Sequence, residues 1–230
     1  MKRLVLMVEG EGDVKPALNI TSKVLRRLFP DSAEPFFIDS AVIKVGDVNA
    51  LLSPKDDDDK IKLIRLLKAV EKRADLGGVL LLLDGDTTKP VLTAAGRQNF
   101  CPVTTGRYLV DLAIKKTCAG QNYSFAVVFA KQEFESWILA GNPSFAEQTV
   151  NEDLEKHPRN AKKKIEEITK QPYSEVIDQI KYAKDIDIES LLIRQPPMRS
   201  FRRFKLFALE FAFTFACLAF GRQALTLLNH

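Results

Sequence analysis

The chain of 230 residues is poor in the side chains that most catalytic centres use. It has two histidines, His157 and the terminal His230. These are too few for a multi-histidine zinc site and poorly placed for a Ser-His-Asp relay, so carboxylates must carry any catalysis. Its three cysteines, Cys101, Cys118 and Cys217, are odd in number and have no Cys-x-x-Cys spacing. That speaks against a disulfide framework and a thiolate zinc site, and fits a reducing cytoplasm. No Walker-type Gly-Lys-Ser/Thr string occurs, which excludes ATP hydrolysis through a P-loop. The apolar run at 4–8 is too short for a signal h-region and lacks a small-residue cleavage site. The run at 206–221 has sixteen residues with Glu210 among them, short of the roughly 20 a membrane span needs, which speaks against a membrane partner. Neither sign of charge dominates: 34 Lys and Arg against 30 Asp and Glu leave +4, which permits nucleic-acid contact without demanding it.

What is present is an alternation of strands and helices. The uninterrupted apolar stretch 4–8 breaks into Glu-Gly-Glu-Gly-Asp at 9–13, the pattern of a buried strand ending in a turn, and 14–28 then reads as a helix. A second strand is expected over 36–45. Acidic residues at 53–60 read as a helix start, continued by 61–72, because they offset the positive end of a helix dipole. Five apolar residues at 79–83 run into Asp84-Gly85-Asp86, the clearest buried parallel strand in the chain. A helix over 104–117, a strand over 125–130 and a helix over 131–140 follow. This order predicts an α/β fold with a mostly parallel sheet flanked by helices, its ligand sites at the carboxyl ends of the strands. Charged residues over 151–192 predict two or three amphipathic helices beside the sheet. Ser200 reads as a cap for an aromatic, basic helix start. The tail after it holds seven of the 15 phenylalanines and reads as a buried terminal helix, the alternative being a membrane-surface or partner-facing helix. The expected division is an α/β domain over 1–145 and a helical C-terminal extension over 146–230.

Three of the expected strands end in acid: Glu9 and Asp13, Asp84 and Asp86, Glu133 and Glu135. If these strands are neighbours, several carboxylates converge at one sheet edge and repel unless protons or divalent cations neutralise them. Hard oxygen donors without histidine select Mg²⁺ or Mn²⁺ over zinc. Gly85 between two aspartates allows a turn sharp enough for both to face one ion. Two ions about 3.5–4 Å apart can stabilise the attacking and leaving oxygens of phosphodiester cleavage.

Val-Glu-Gly-Glu-Gly-Asp at 8–13, Leu-Asp-Gly-Asp at 83–86, Gln-Glu-Phe-Glu-Ser-Trp-Ile-Leu at 132–139 and Ser-Phe-Arg-Arg-Phe at 200–204 together resemble the ordered motifs of bacterial domain-of-unknown-function family four-two-seven-six. That family is TOPRIM-like and related to the nuclease domains of the overcoming-lysogenization-defect (OLD) type. The resemblance implies a TOPRIM-like fold with Glu9 as general acid/base or ligand and Asp84 and Asp86 as metal ligands. It implies Asp13 as the second acidic residue of the opening motif, with Glu133 or Glu135 completing the shell. It further implies that Arg202 and Arg203 contact phosphate, and it suggests an ATPase partner in an anti-phage system. The tail after Phe204 departs from the family pattern. Lys163, within the lysine run 162–164, is a candidate for nucleic-acid backbone contact, although such a run also reads as a solvated helix face. The expectation is an Mg²⁺-dependent nuclease or phosphotransfer subunit acting on nucleic acid, the alternative a non-catalytic sensor subunit that binds nucleic acid or an ATPase.

Overall fold

A computed structural model describes residues 2–29, 36–53, 58–93, 96–156 and 160–220, without the side chains of 36, 58 and 210–220. His157, His230 and the acidic residues at 56 and 57 lie outside the described residues, as does the Cys217 side chain. In chain order the elements are β1 (Lys2–Val8), α1 (Val14–Leu28), β2 (Phe36–Ile38), β3 (Ile43–Lys44), α2 (Val48–Leu51), α3 (Lys62–Val70) and β4 (Leu76–Asp84). There follow β5 (Val91–Thr93), β6 (Gly96–Gln98), α4 (Pro102–Lys116), β7 (Ser124–Ala130), α5 (Glu135–Gly141) and α6 (Pro143–Ala146). The chain continues with α7 (Ala161–Thr169), α8 (Asp178–Lys184), α9 (Ile188–Ile193) and α10 (Arg199–Phe220).

The main sheet runs β2-β1-β4-β7 with β3 also on β1, and every pairing is parallel. Parallel strands need a covering layer on both faces, and the alternation of side chains along each strand supplies two apolar surfaces. Leu4, Leu6 and Val8 of β1, with Leu80 and Leu82 of β4, pack against α1, α5 and α10 through Ile20, Val24, Trp137, Phe201 and Phe204. Val5, Met7, Val79, Leu81 and Leu83 point the other way, onto Leu51, Leu63, Leu67 and Leu109 of α2, α3 and α4. The expected α/β fold with a parallel sheet flanked by helices and a helical C-terminal region is therefore the observed one. Side chains from Leu154 to Ala208 belong to the same apolar cluster as β1, β4 and β7.

Several local details differ from expectation. The strand expected over 36–45 is two short strands, because Asp39 interrupts it. Its buried carboxylate accepts from Arg3 (2.7 Å), Arg73 (2.8 Å) and Ala41 N–H (2.9 Å). The helix expected from 131 begins at Glu135, because Gln132 adopts a left-handed φ of 70° and Phe134 N–H is drawn to Asp84. The helix start expected over 53–60 is a 3-10 turn at Asp58–Lys60, with α3 beginning at Lys62. The hairpin β5–β6 carried no clear alternation and was not anticipated. The charged stretch does form three helices, but α7 and α8 pack on α5 and α1 rather than beside the strands. No described helix is long and apolar enough to cross a membrane.

Ser200 lies inside α10, and its expected capping role falls to Glu155. The Glu155 carboxylate, 1% exposed, accepts from Arg199 N–H (2.9 Å), Ser200 N–H (2.8 Å) and Ser200 Oγ (2.6 Å). Ser200 Oγ in turn accepts from Trp137 Nε1 (2.8 Å). Trp137 is ringed by Phe134, Phe201 and Phe204 at centroid distances of 5.4, 5.3 and 5.6 Å. Glu155→Ala leaves two helix N–H groups and a hydroxyl buried without an acceptor, so it should destabilise the fold by about 3 kcal/mol and lower Tm by roughly 10 °C. Thermal unfolding that moves by less than a degree or two would remove Glu155 as the anchor of α10.

Candidate functional site

The site is the carboxyl edge of the parallel sheet. Register places Val8 opposite Leu82 and Asp84 opposite Ala130, so β1, β4 and β7 stop side by side and their first turn residues meet. The β3 end steadies this edge: Val45 N–H donates to Val8 O (2.8 Å) and Gly46 N–H to Glu9 O (3.0 Å). Glu9, leaving β1, then accepts from the backbone N–H of Asp84 at 3.3 Å, although 75 residues separate them. Asp84 Oδ1 accepts from Phe134 N–H at 2.9 Å, which ties the β4 end to the turn after β7. Gly85 is required here: its N–H donates to Ala130 O (2.7 Å), and a Cβ on it would stand 2.8 Å from that oxygen.

Asp13 is held on both oxygens, accepting from Gly10 N–H on Oδ2 (2.8 Å) and from the buried Gln179 amide on Oδ1 (2.8 Å). The helical region thus reaches the opening turn, and a Cβ on Gly12 would stand 2.7 Å from Gln179 Oε1. Glu135 is 1% exposed at the start of α5, with Lys162 Nζ at 4.0 Å.

Fields within the cluster are those of crowded like charge. Burial first, then Glu135, Asp13, Glu9 and Asp86, push the Asp84 carboxyl well above its usual range. Burial raises Glu9 to about 6; Asp84 N–H opposes the shift, and Asp86, Asp13 and Asp47 add to it. Burial raises Glu135 to about 7 against the pull of Lys162, with Glu133 adding to the rise. Such shifts collect where groups are poised for chemistry or ligand binding.

Glu9, Asp13, Asp84, Asp86 and Glu135 are therefore brought within one another's fields. Glu133 turns elsewhere: its Oε1 accepts from Ala161 N–H (2.7 Å) and Lys162 N–H (3.4 Å), capping α7. Of the two glutamates, it is Glu135 that Asp84 senses most strongly. Arg202 and Arg203 are exposed at the start of α10, Arg202 reaching Leu192 O at 3.5 Å. Lys163 is 76% exposed and 3.9 Å from Glu167. Its neighbour Lys162, not singled out from the run, is the lysine that faces the acids. Helical geometry carried the signal, since Ala161 and Ile165 form the buried face of α7 and Lys163 falls opposite it while Lys162 flanks it. Gln179 and Asp47 also went unnoticed, because a polar residue on an amphipathic helix or in a loop has no pattern that marks its target.

The donor set is all carboxylate, without thiolate or imidazole, and so suits a hard divalent ion. Among the described residues no three His, Cys, Asp or Glu side chains stand close enough together to hold a metal ion. No family model matches the chain, and neither a curated protein nor a solved structure is similar to it.

Glu9 and Glu135 have folded pKa values above the 4.5 of an ordinary glutamate. The native state therefore binds more protons than the unfolded chain between about pH 4.5 and 7. Their contribution is complete below that window and is lost as pH rises through 6 and 7. In chelating buffer Tm should fall by about 5 °C from pH 5 to pH 8. Asp84→Asn should raise Tm at pH 8. A flat Tm profile and an Asp84→Asn protein less stable than wild type would show that the carboxylates do not repel one another.

Proposed function

We propose that the chain is a TOPRIM-like, Mg²⁺- or Mn²⁺-dependent enzyme that cleaves phosphodiester bonds in nucleic acid. The observation that carries this reading is the meeting of Glu9 and Asp84 across the sheet edge, inside the field of Asp86, Asp13 and Glu135. Crowded acids of raised proton affinity are stabilised by whatever cation joins them, and the donor chemistry selects magnesium or manganese. By the resemblance to the TOPRIM-like family, Glu9, Asp84 and Asp86 would be the residues to hold the ion. Once bound, a divalent ion supplies positive charge for the phosphoryl oxygens and lowers the cost of activating water.

The protein's own groups do the rest. Asp84 is aimed by Phe134 N–H, and Asp13 is fixed by Gly10 and Gln179. Glu9, raised to about 6 by burial, is mostly ionised at neutral pH and so carries charge for a cation. Arg202, Arg203 and Lys163 extend freely enough to meet phosphates along a nucleic acid, a contact that salt would weaken. The family resemblance suggests an ATPase partner and a phage-defence role, and the three unspaced cysteines fit a reducing, cytoplasmic setting.

Purified full-length protein incubated with supercoiled plasmid and single-stranded DNA should cut in Mg²⁺ or Mn²⁺ and stop on chelation. Asp84→Asn and Glu9→Gln should each lower the rate by about 10²–10³-fold. Cleavage untouched by both substitutions would discard the assignment. DNA binding without any metal-dependent cutting would leave a non-catalytic binding subunit in its place.

A further inference from the structure

Behind the turn that follows β7 lies a cavity of about 170 Å³, bounded by α5, the segment 152–154 and the first turns of α7. Leu139 and Leu154 give it apolar walls, while Gln132, Ser136 and Asn160 bring two amides and a hydroxyl. Glu152 and Lys164 stand beside it, ion-paired with each other. An apolar cavity of about 150 Å³ is enough to take up benzene, so this one has room for a single six-membered ring.

The fold leaves the three neutral polar groups unengaged. Ser136 is 1% exposed, yet its Oγ makes no hydrogen bond among the described residues, where buried hydroxyls ordinarily find a partner. Asn160 occupies the N-cap position of α7 without capping it, because Glu133 already accepts from Ala161 N–H at 2.7 Å and Lys162 N–H at 3.4 Å. Gln132 is held at a left-handed φ of 70°, which non-glycine residues seldom adopt, and its amide likewise has no partner among the described residues. Glycine would make that turn with less strain, so the turn alone does not call for a glutamine.

These features define the chemistry of an occupant. Lys164 and Glu152 neutralise each other, so a charged ligand would find no free counter-ion and a neutral one is favoured. Amides and a hydroxyl both donate and accept, and the two leucines suit the faces of a ring. A nucleobase combines apolar faces with a neutral edge of donors and acceptors, the kind of edge that Asn and Gln amides read. We infer that this cavity binds a pyrimidine base, its edge toward Gln132, Ser136 and Asn160 and its faces against Leu139 and Leu154. The inference does not depend on phosphodiester cleavage at the sheet edge, because it concerns other residues and is tested without metal.

Nucleoside titration of the full-length protein in chelating buffer, followed by calorimetry and saturation-transfer NMR, tests it. Cytidine, uridine or thymidine should bind about tenfold more tightly than adenosine or guanosine, whose second ring overfills the cavity, and saturation should fall on ring protons. Gln132→Gly should keep or raise Tm while weakening binding about tenfold, and Ser136→Ala should weaken it by a similar factor. A short oligothymidylate that binds more tightly than thymidine identifies an unpaired base of a strand as the occupant; equal affinity identifies the free nucleoside. Equal binding of purines and pyrimidines, saturation confined to the ribose, or no nucleoside bound at millimolar concentration would each overturn the inference. So would a folded Gln132→Gly protein of undiminished affinity. None of these results bears on the cleavage reading, which is decided by metal-dependent cutting.

Discussion

Burial of like charge at the carboxyl ends of parallel strands is the constraint that the rest of the molecule answers. Layers on both faces force β1 and β4 to be apolar along their length, and a strand covered on both sides cannot surface at once when it ends. Asp84 therefore arrives half-buried at the sheet edge, with Glu9 beside it. What balances them is mostly backbone: the N–H of Asp84 for Glu9, of Phe134 for Asp84, of Gly10 for Asp13, and of Ala161 for Glu133. Amide dipoles hold acids in place without cancelling their charge. The edge is thereby ordered, and its acids keep a raised proton affinity.

The helical region is part of that edge as well as a cover for the sheet. Gln179 from α8 and Lys162 from α7 each reach an acid set by the strands, and Glu155 anchors the helix whose aromatic residues surround Trp137. Because α5 carries both Trp137 and Glu135, core packing and site geometry share one short helix. A change that loosens the aromatic cluster would shift Glu135 relative to Asp84.

The strands that matter most were legible because complete burial leaves a signature: unbroken apolar runs at 4–8 and 79–83, each ending in acid. The meeting of Glu9 and Asp84 followed from adjacency of those strands, which the alternation with helices made the natural arrangement. Local departures had side-chain causes invisible to periodicity. Asp39 splits a strand by gathering two arginines from 36 and 34 residues away, and Gln132 takes a left-handed turn that delays α5. The choice between Glu133 and Glu135 was open for a similar reason. Two residues apart in a turn, they diverge according to where α7 docks, and that is a tertiary fact.

The split at Asp39 also bears on how this molecule coexists with its copies. Burial opposes the charge of its carboxylate, but Ala41 N–H, Arg3 and Arg73 outweigh it and hold the group below the usual carboxylate range. The ionic knot lies in the middle of the sheet's outer border, leaving segments of three and two residues on either side. Long, flat borders recruit matching strands from other molecules, whereas short, interrupted ones offer no continuous ladder to extend. A protein whose central strands carry unbroken apolar runs is thus shielded, along this border, from stacking into larger sheets.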